Sequence, residues 1–217
     1  MVREAYHRDL HSLKDEVLEM GKLVVVAIGD AVLSLKNRDV ELAQKAIDMD
    51  NEIDAMYHKI EDDCMRLLAL QQPMARDLRL ILSVLKMSID LERMGDLALE
   101  VAVITKITAS VPPVKPLIDL PRMAEICQQM LTDTMKAFEN KDVELARATA
   151  KRDDEVDDLF DQVRRELISY MIEDPKKITG AQHLTFVARY LERIGDHITN
   201  LCENVVFMVT GERVELN

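Results

Sequence analysis

The chain has 217 residues but only 6 Gly and 6 Pro, about half of what average usage of roughly 7% Gly and 5% Pro would supply, and this excludes a protein of many strands and tight turns. Hydrophobic residues make up 48% and aromatics only 4%, so Leu, Ile, Val, Ala and Met fill the core and an all-α protein is predicted. The net charge of −12 repels phosphate backbones and anionic headgroups, which counts against nucleic acid and membrane surfaces and favours cations or basic protein patches as partners.

At the N-terminus, Arg3, Glu4, Arg8 and Asp9 fall within the first ten residues, so no signal peptide is expected. The first helix is predicted over residues 3–36. It contains Val24, Val25 and Val26, a β-branched run that lowers helix propensity, but apolar residues continue around it at i+3 and i+4 spacing. The longest apolar run, residues 23–29, stops at Asp30, far short of the ~20 residues of a membrane span. A second helix is predicted over 39–70 with Asp39 as N-cap, and a third over 74–108 after the break at Gln71, Gln72 and Pro73.

Residues 110–119 (SVPPVKPLID) hold three of the six prolines, so no helix crosses them. They divide the chain into a first repeat, 1–109, and a second, 120–217. The second repeat reads as helices over 120–139, 142–172 and 179–210, with Asp174-Pro175 as a break and Gly211 closing the last helix. The architecture expected is two tandem three-helix bundles made of six long antiparallel helices.

The repeat is visible directly. Residues 37–54 (NRDVELAQKAIDMDNEID) and 140–157 (NKDVELARATAKRDDEVD) share 9 of 18 positions at an offset of 103, and LERMGD (91–96) matches LERIGD (191–196) at an offset of 100. The three-residue deficit belongs in a connection, because deleting it within a helix would rotate everything after it by about 60°.

Matched carboxylates carry the chemical signal. Asp50 and Asp54, Glu92 and Asp96, Asp153 and Asp157, and Glu192 and Asp196 are each four apart, one helical turn on one face. Like charges at that spacing destabilise an isolated helix, so four such pairs ask for a cation. Arginine bridges from Arg93, Arg193, Arg76, Arg79 or Arg189 are one answer. A hard metal ion bound by two facing helices is the other. Spacing alone favours arginine, but Gly95 and Gly195 recur immediately before the Asp in mid-helix, where Gly is worse than Ala by about 1 kcal/mol. The stripes also continue through Glu100 and Asp161, and through Asn200 and Glu203.

LERMGD and LERIGD, preceded by DNEID and DDEVD and by QQPMARDLR opening the third helix, resemble the PhoU family over nearly the whole chain. The resemblance implies two three-helix repeats and, at paired E(D)xxxD motifs, multinuclear iron or zinc. It places Asp50, Asp54, Glu92 and Asp96 at one metal site and Asp153, Asp157, Glu192 and Asp196 at the other. It also implies a cytoplasmic negative regulator of phosphate uptake and phosphate-starvation signalling, a homodimer that contacts the transporter's ATP-binding subunit and a phosphate-sensing membrane histidine kinase. One departure concerns the residue four after the motif, Asn200 in the second copy but Glu100 in the first.

Other signals are weaker. Glu4 and His7 form a single ExxH, whereas a di-iron bundle needs two, so His7 and His11 read as exposed helix residues. His58, one turn after Asp54, is a candidate to extend the first site. Cys64, Cys127 and Cys202 lie 63 and 75 residues apart, fit no metal or redox spacing, and read as buried residues of a cytoplasmic protein. No phosphate-loop, dinucleotide, nucleophile-elbow or zincin motif occurs, so no enzyme is expected. A carboxylate-bridged metal enzyme or metal store is the alternative.

Overall fold

A computed structural model describes residues 2–216. Its α-helices are α1 (Val2–Asn37), α2 (Val40–Gln71), α3 (Ala75–Thr108), α4 (Asp119–Asn140), α5 (Val143–Ala150), α6 (Asp153–Glu173) and α7 (Ile178–Thr210), with one turn of 3₁₀ helix, Pro175–Lys177, before α7. The outer bounds of the two repeats, 1 and 217, lie outside the described residues. Each repeat is a three-rod bundle: α1, α2 and α3 in the first, and α4, α5 with α6, and α7 in the second.

One expected helix is corrected. The rod predicted over 142–172 is broken at Lys151 and Arg152 into α5 and α6. There Arg152 N–H bonds Thr149 O and Glu155 N–H bonds Arg152 O, three-residue contacts that tighten the coil and leave the i to i−4 ladder. Asp153, Asp154 and Glu155 then form the first turn of α6, where acids suit the positive end of the helix dipole. In the first repeat the corresponding Asp50, Asn51 and Glu52 sit inside the unbroken α2.

Helix ends follow local chemistry. Asp39 caps α2 by accepting from Glu41 N–H and Leu42 N–H, and Asp142 caps α5 through Leu145 N–H. Gly211, at φ 84°, closes α7 with its N–H on Phe207 O, a left-handed turn that favours glycine.

Along α1, Leu13, Val17, Met20, Val24, Ile28 and Ala31 are buried at three- and four-residue spacing, the stripe expected of a core-facing helix. Val24 is fully enclosed while Val26 is exposed, so the valine run is helical and turns only one face inward. The central helix of each bundle is its third, since α3 packs on α1 and α2 and α7 packs on α4, α5 and α6. The two central helices also pack on each other, and α1 packs on α4. Between them, His197 Nδ1 lies 3.0 Å from Asp90 Oδ1, and Asn200 donates to the same oxygen at 3.4 Å. All three cysteines are free and buried, and burial pushes the Cys64 and Cys202 thiols up to about 12.

The segment between α3 and α4 is pinned by Lys115, a buried lysine whose ammonium donates to Asp119 and Glu166. Burial alone would lower its pKa, but the two carboxylates outweigh that and hold it above the usual lysine range. Replacing the cation strands two partly buried acids. Lys115→Met is therefore expected to destabilise the protein by about 1–3 kcal/mol, read as a lowered urea midpoint at unchanged slope. The exposed Lys86→Met should stay within about 0.5 kcal/mol.

Candidate acidic sites

Asp50 and Asp54 lie on α2, Glu92 and Asp96 on α3, and the packing of α2 along α3 brings the four carboxylates together. Burial, then the charges of Asp54, Asp96 and Glu92, push Asp50 up to about 6. Glu92 is raised by burial first and then by Asp96 and Asp54, with Arg93 and His58 opposing. Arg93 answers part of the charge, 3.4 Å from Glu92 and 3.1 Å from Asp96. His58 is close enough to be felt by Glu92 and stands 3.9 Å from Glu61.

In the second repeat α6 and α7 do the same work. Asp157 is raised by burial and then by Asp196, Asp154, Asp158 and Asp161, while Glu192 is raised by burial and then by Asp196 and Asp157, with Arg189 opposing. Arg189 binds Glu192 and lies over the Phe160 ring of α6. The clamp has therefore changed position between copies, because the residue matching Arg189 is Ile89. Arg193, which matches Arg93, lines a groove between α3 and α7 instead.

The glycines explain why the acids come so close. A Cβ at Gly95 would stand 3.1 Å from Asp50 Oδ1 and 3.2 Å from Ile53. At Gly195 it would collide with Asp153 Oδ1 and sit 3.4 Å from Asp153 Cγ. Asp153 is fully buried, accepting from Thr199 Oγ1 at 3.4 Å, whereas Asp50 is only half-buried. The helix break before Asp153 accounts for the difference, since it places that residue at the inward-facing start of α6.

The secondary candidates divide. Asp161 stays near Asp157 but pairs with Arg164 at 2.9 Å. Glu100 lines the groove between α3 and α7 with Asp96, Tyr190 and Arg193. Asn200 reaches across to Asp90, and Glu203 accepts Leu216 N–H at 3.0 Å, holding the C-terminal segment. Asn200 and Glu203 are thus occupied away from the acid pairs, and the Glu100/Asn200 departure bears on how α3 meets α7. Asp154 and Asp158 add charge around Asp157; their signal is the acidic stretch DDEVDD, interrupted only by Val156.

The donor chemistry suits a hard cation. Each cluster offers carboxylates alone, and the buried oxygens Asp50 Oδ1 and Glu192 Oε2 have no hydrogen-bond partner. Among the described residues, however, no three His, Cys, Asp or Glu side chains stand where they could jointly hold one ion, so an ion would have to draw them inward.

Two outcomes follow. Gly95→Ala should be near neutral, its tight contacts offset by about 1 kcal/mol of helix propensity, while Gly195→Ala should destabilise by about 1–2 kcal/mol because a buried carboxylate must move; thermal melts decide this. Asp50 has a folded pKa above its ordinary 3.8, so its contribution to stability is full below about 3.8 and is lost as pH rises through about 6. In metal-free buffer Asp50→Asn should therefore be more stable than the parent at pH 7.5 by about 1 kcal/mol after allowance for solvent screening. The gap should close by about pH 4.

Comparison with known proteins agrees with this fold. The PhoU domain model matches residues 17–105 and 120–205. The chain is 42% identical to the phosphate-specific transport system accessory protein PhoU homolog of Aquifex aeolicus over 208 residues, 96% of this chain and 94% of that one. The homolog of Deinococcus radiodurans is 39% identical over 212 residues, 98% and 100%. The crystal structure of PhoU from Pseudomonas aeruginosa superposes with a TM-score of 0.92 at 36% identity, covering 95% of this chain and all of that one. The phosphate transport system regulatory protein PhoU from Streptococcus pneumoniae superposes at 0.88 and 31% identity, covering 96% and 99%. With both repeats matched and relatives similar along nearly their whole length, the chain belongs to the PhoU family.

Proposed function

We propose that this chain is an accessory protein of a phosphate-specific transport system and that it works by binding rather than by catalysis. The observation that carries the reading is the pair of desolvated acid clusters. Holding Asp50 with Asp54, Glu92 and Asp96, and Asp157 with Glu192 and Asp196, opposes folding at neutral pH, and sites that keep such an arrangement are characteristically functional. The relatives' names supply the process.

In the finer form of this reading the protein is a cytoplasmic homodimer and a negative regulator of phosphate uptake and phosphate-starvation signalling. Its partners are the transporter's ATP-binding subunit and a phosphate-sensing membrane histidine kinase. No described helix is long and apolar enough to cross a membrane, which suits a protein that visits membrane partners from outside the bilayer. Acidic stripes on a rigid helical body offer complementary charge to basic partner surfaces.

Iron or zinc is the second part of the reading, favoured by the orphaned Asp50 Oδ1. Asp50, Asp54, Glu92 and Asp96 would hold one group and Asp153, Asp157, Glu192 and Asp196 the other. The metal would supply positive charge that neutralises the acids and ties the paired helices together. Such an ion biases docking only by binding one state better than another.

Asp96→Ala with Asp196→Ala tests both parts. Helicity by circular dichroism should be unchanged. Capture of the transporter's ATP-binding subunit or of the kinase from cells at high and low phosphate should fall by about tenfold, the loss of one or two charge-assisted contacts. Iron or zinc measured after chelator-free purification should fall with it. Unaltered capture and an unaltered phosphate response would leave the acids a structural role only.

A further inference from the structure

Away from the acid clusters, at the end of the body where α3 begins and α4 and α7 finish, four stretches of chain line a solvent-open cavity of about 510 Å³. Its wall is basic in a protein whose net charge is −12. Helix α1 contributes His7, His11 and Lys14, the first turns of α3 contribute Arg76 and Arg79, and Lys141 joins them from the left-handed residue that closes α4. Among the described residues, Lys14, Arg76, Arg79 and Lys141 pair with no carboxylate, and Arg79 donates to Met208 O at 3.5 Å.

The positive charge there is only partly answered. Asp77 lies on the wall, but its carboxylate already accepts from the Tyr6 hydroxyl at 3.1 Å. Lys14 is held below the usual lysine range by burial first and then by Lys141 and Arg76, and Asp15 and Asp77 do not restore it. The repeat supplies an internal comparison, because Arg38 is the counterpart of Lys141 and has the same left-handed backbone, φ 59° against 58°. Arg38 donates to Ala109 O at 2.8 Å and so completes the end of α3. Lys141 makes no such bond; it lines the cavity, and its charge is felt by Lys14.

We propose that this cavity binds the dianionic phosphate group of inorganic phosphate or of a small phosphomonoester. Guanidinium groups match tetrahedral oxyanions in bidentate fashion, ammonium groups add point charges, and imidazoles add donors. Two or more cations facing one ligand select a dianion over a monoanion of similar size. The volume falls within the roughly 300–1,000 Å³ of small-molecule sites, so a phosphate carrying a short organic group fits as well as the free ion. The proposal is independent of any regulatory role, since it concerns binding to the isolated chain.

The test is calorimetric titration of the full chain at pH 7.5 and low ionic strength with orthophosphate, O-phosphoserine and acetate. At least one phosphate compound should saturate a single site, and the tighter of the two identifies the source. Acetate should bind at least about tenfold more weakly. Lys14→Gln with Arg76→Gln should weaken phosphate binding at least about tenfold, and the exposed Lys141→Gln gives a second reading that leaves the helices untouched. Lys36→Gln with Lys106→Gln removes equal charge from the far ends of α1 and α3 and should change affinity by no more than about twofold. No saturable binding of either phosphate compound, acetate binding as tightly, or equal loss in the pocket and far-end variants would overturn the proposal.

Discussion

The close approach of a carboxylate to the backbone of a central helix, at Gly95 and again at Gly195, is the constraint on which the rest of the molecule turns. Each glycine removes the one side chain that would hold the neighbouring helix away, and Asp50 or Asp153 fills the space. Once that contact is made, the acids one turn along on both helices must face each other, and burial and repulsion raise Asp50, Glu92, Asp157 and Glu192 together. Helix propensity and carboxylate solvation both oppose the arrangement, so the apolar stripes on either side have to support it. They do so with fully enclosed residues, Ile53, Leu91 and Met94 in one repeat and Val156, Leu191 and Ile194 in the other.

Charge is sorted along this body rather than averaged over it. Acids collect where second and third helices meet, and cations collect where the helix ends of both repeats come together. In water a Debye length of about 10 Å at 0.1 M salt separates such regions electrically, so a chain with a net charge of −12 can present a strongly positive concavity. Average charge, which counts against anionic partners, says nothing about such a local field.

Legibility in the sequence follows from how local each feature is. The repeat offsets, the caps at Asp39 and Asp142 and the closing Gly211 depend on residues within a few positions of each other, and they could be read directly. The acid pairs were legible for the same reason, being i and i+4 on one face in both copies. The break at Lys151 and Arg152 was not, because the matching stretch of α2 runs straight through and the triple acid that restarts α6 reads equally well as helix interior. Arg189 replacing Arg93 as the clamp is visible only when α7 is set against Phe160. The basic cavity assembles residues from 7–14, 76–80, 141 and 208–209, a set with no single periodicity, so nothing short of the packed fold brings it into view.

Duplication has therefore produced two acid clusters that are related but not equivalent. Asp50 is half-open to water and its cluster is clamped by an arginine on the motif itself, while Asp153 is sealed beneath Gly195 and its cluster is clamped from one turn earlier. Desolvation makes the charged form of a carboxylate progressively harder to maintain. A cation would therefore meet a half-buried Asp in the first cluster and a fully buried one in the second. Because α3 and α7 pack on each other through Asp90, His197 and Asn200, a shift of either central helix at its own acids is felt at that shared face. The same two helices carry Arg79 at the start of one and Met208 and Val209 at the end of the other into the basic cavity, so acids and cavity are attached to one mechanical unit, and occupancy at one end changes the conditions for binding at the other only to the extent that it displaces that pair.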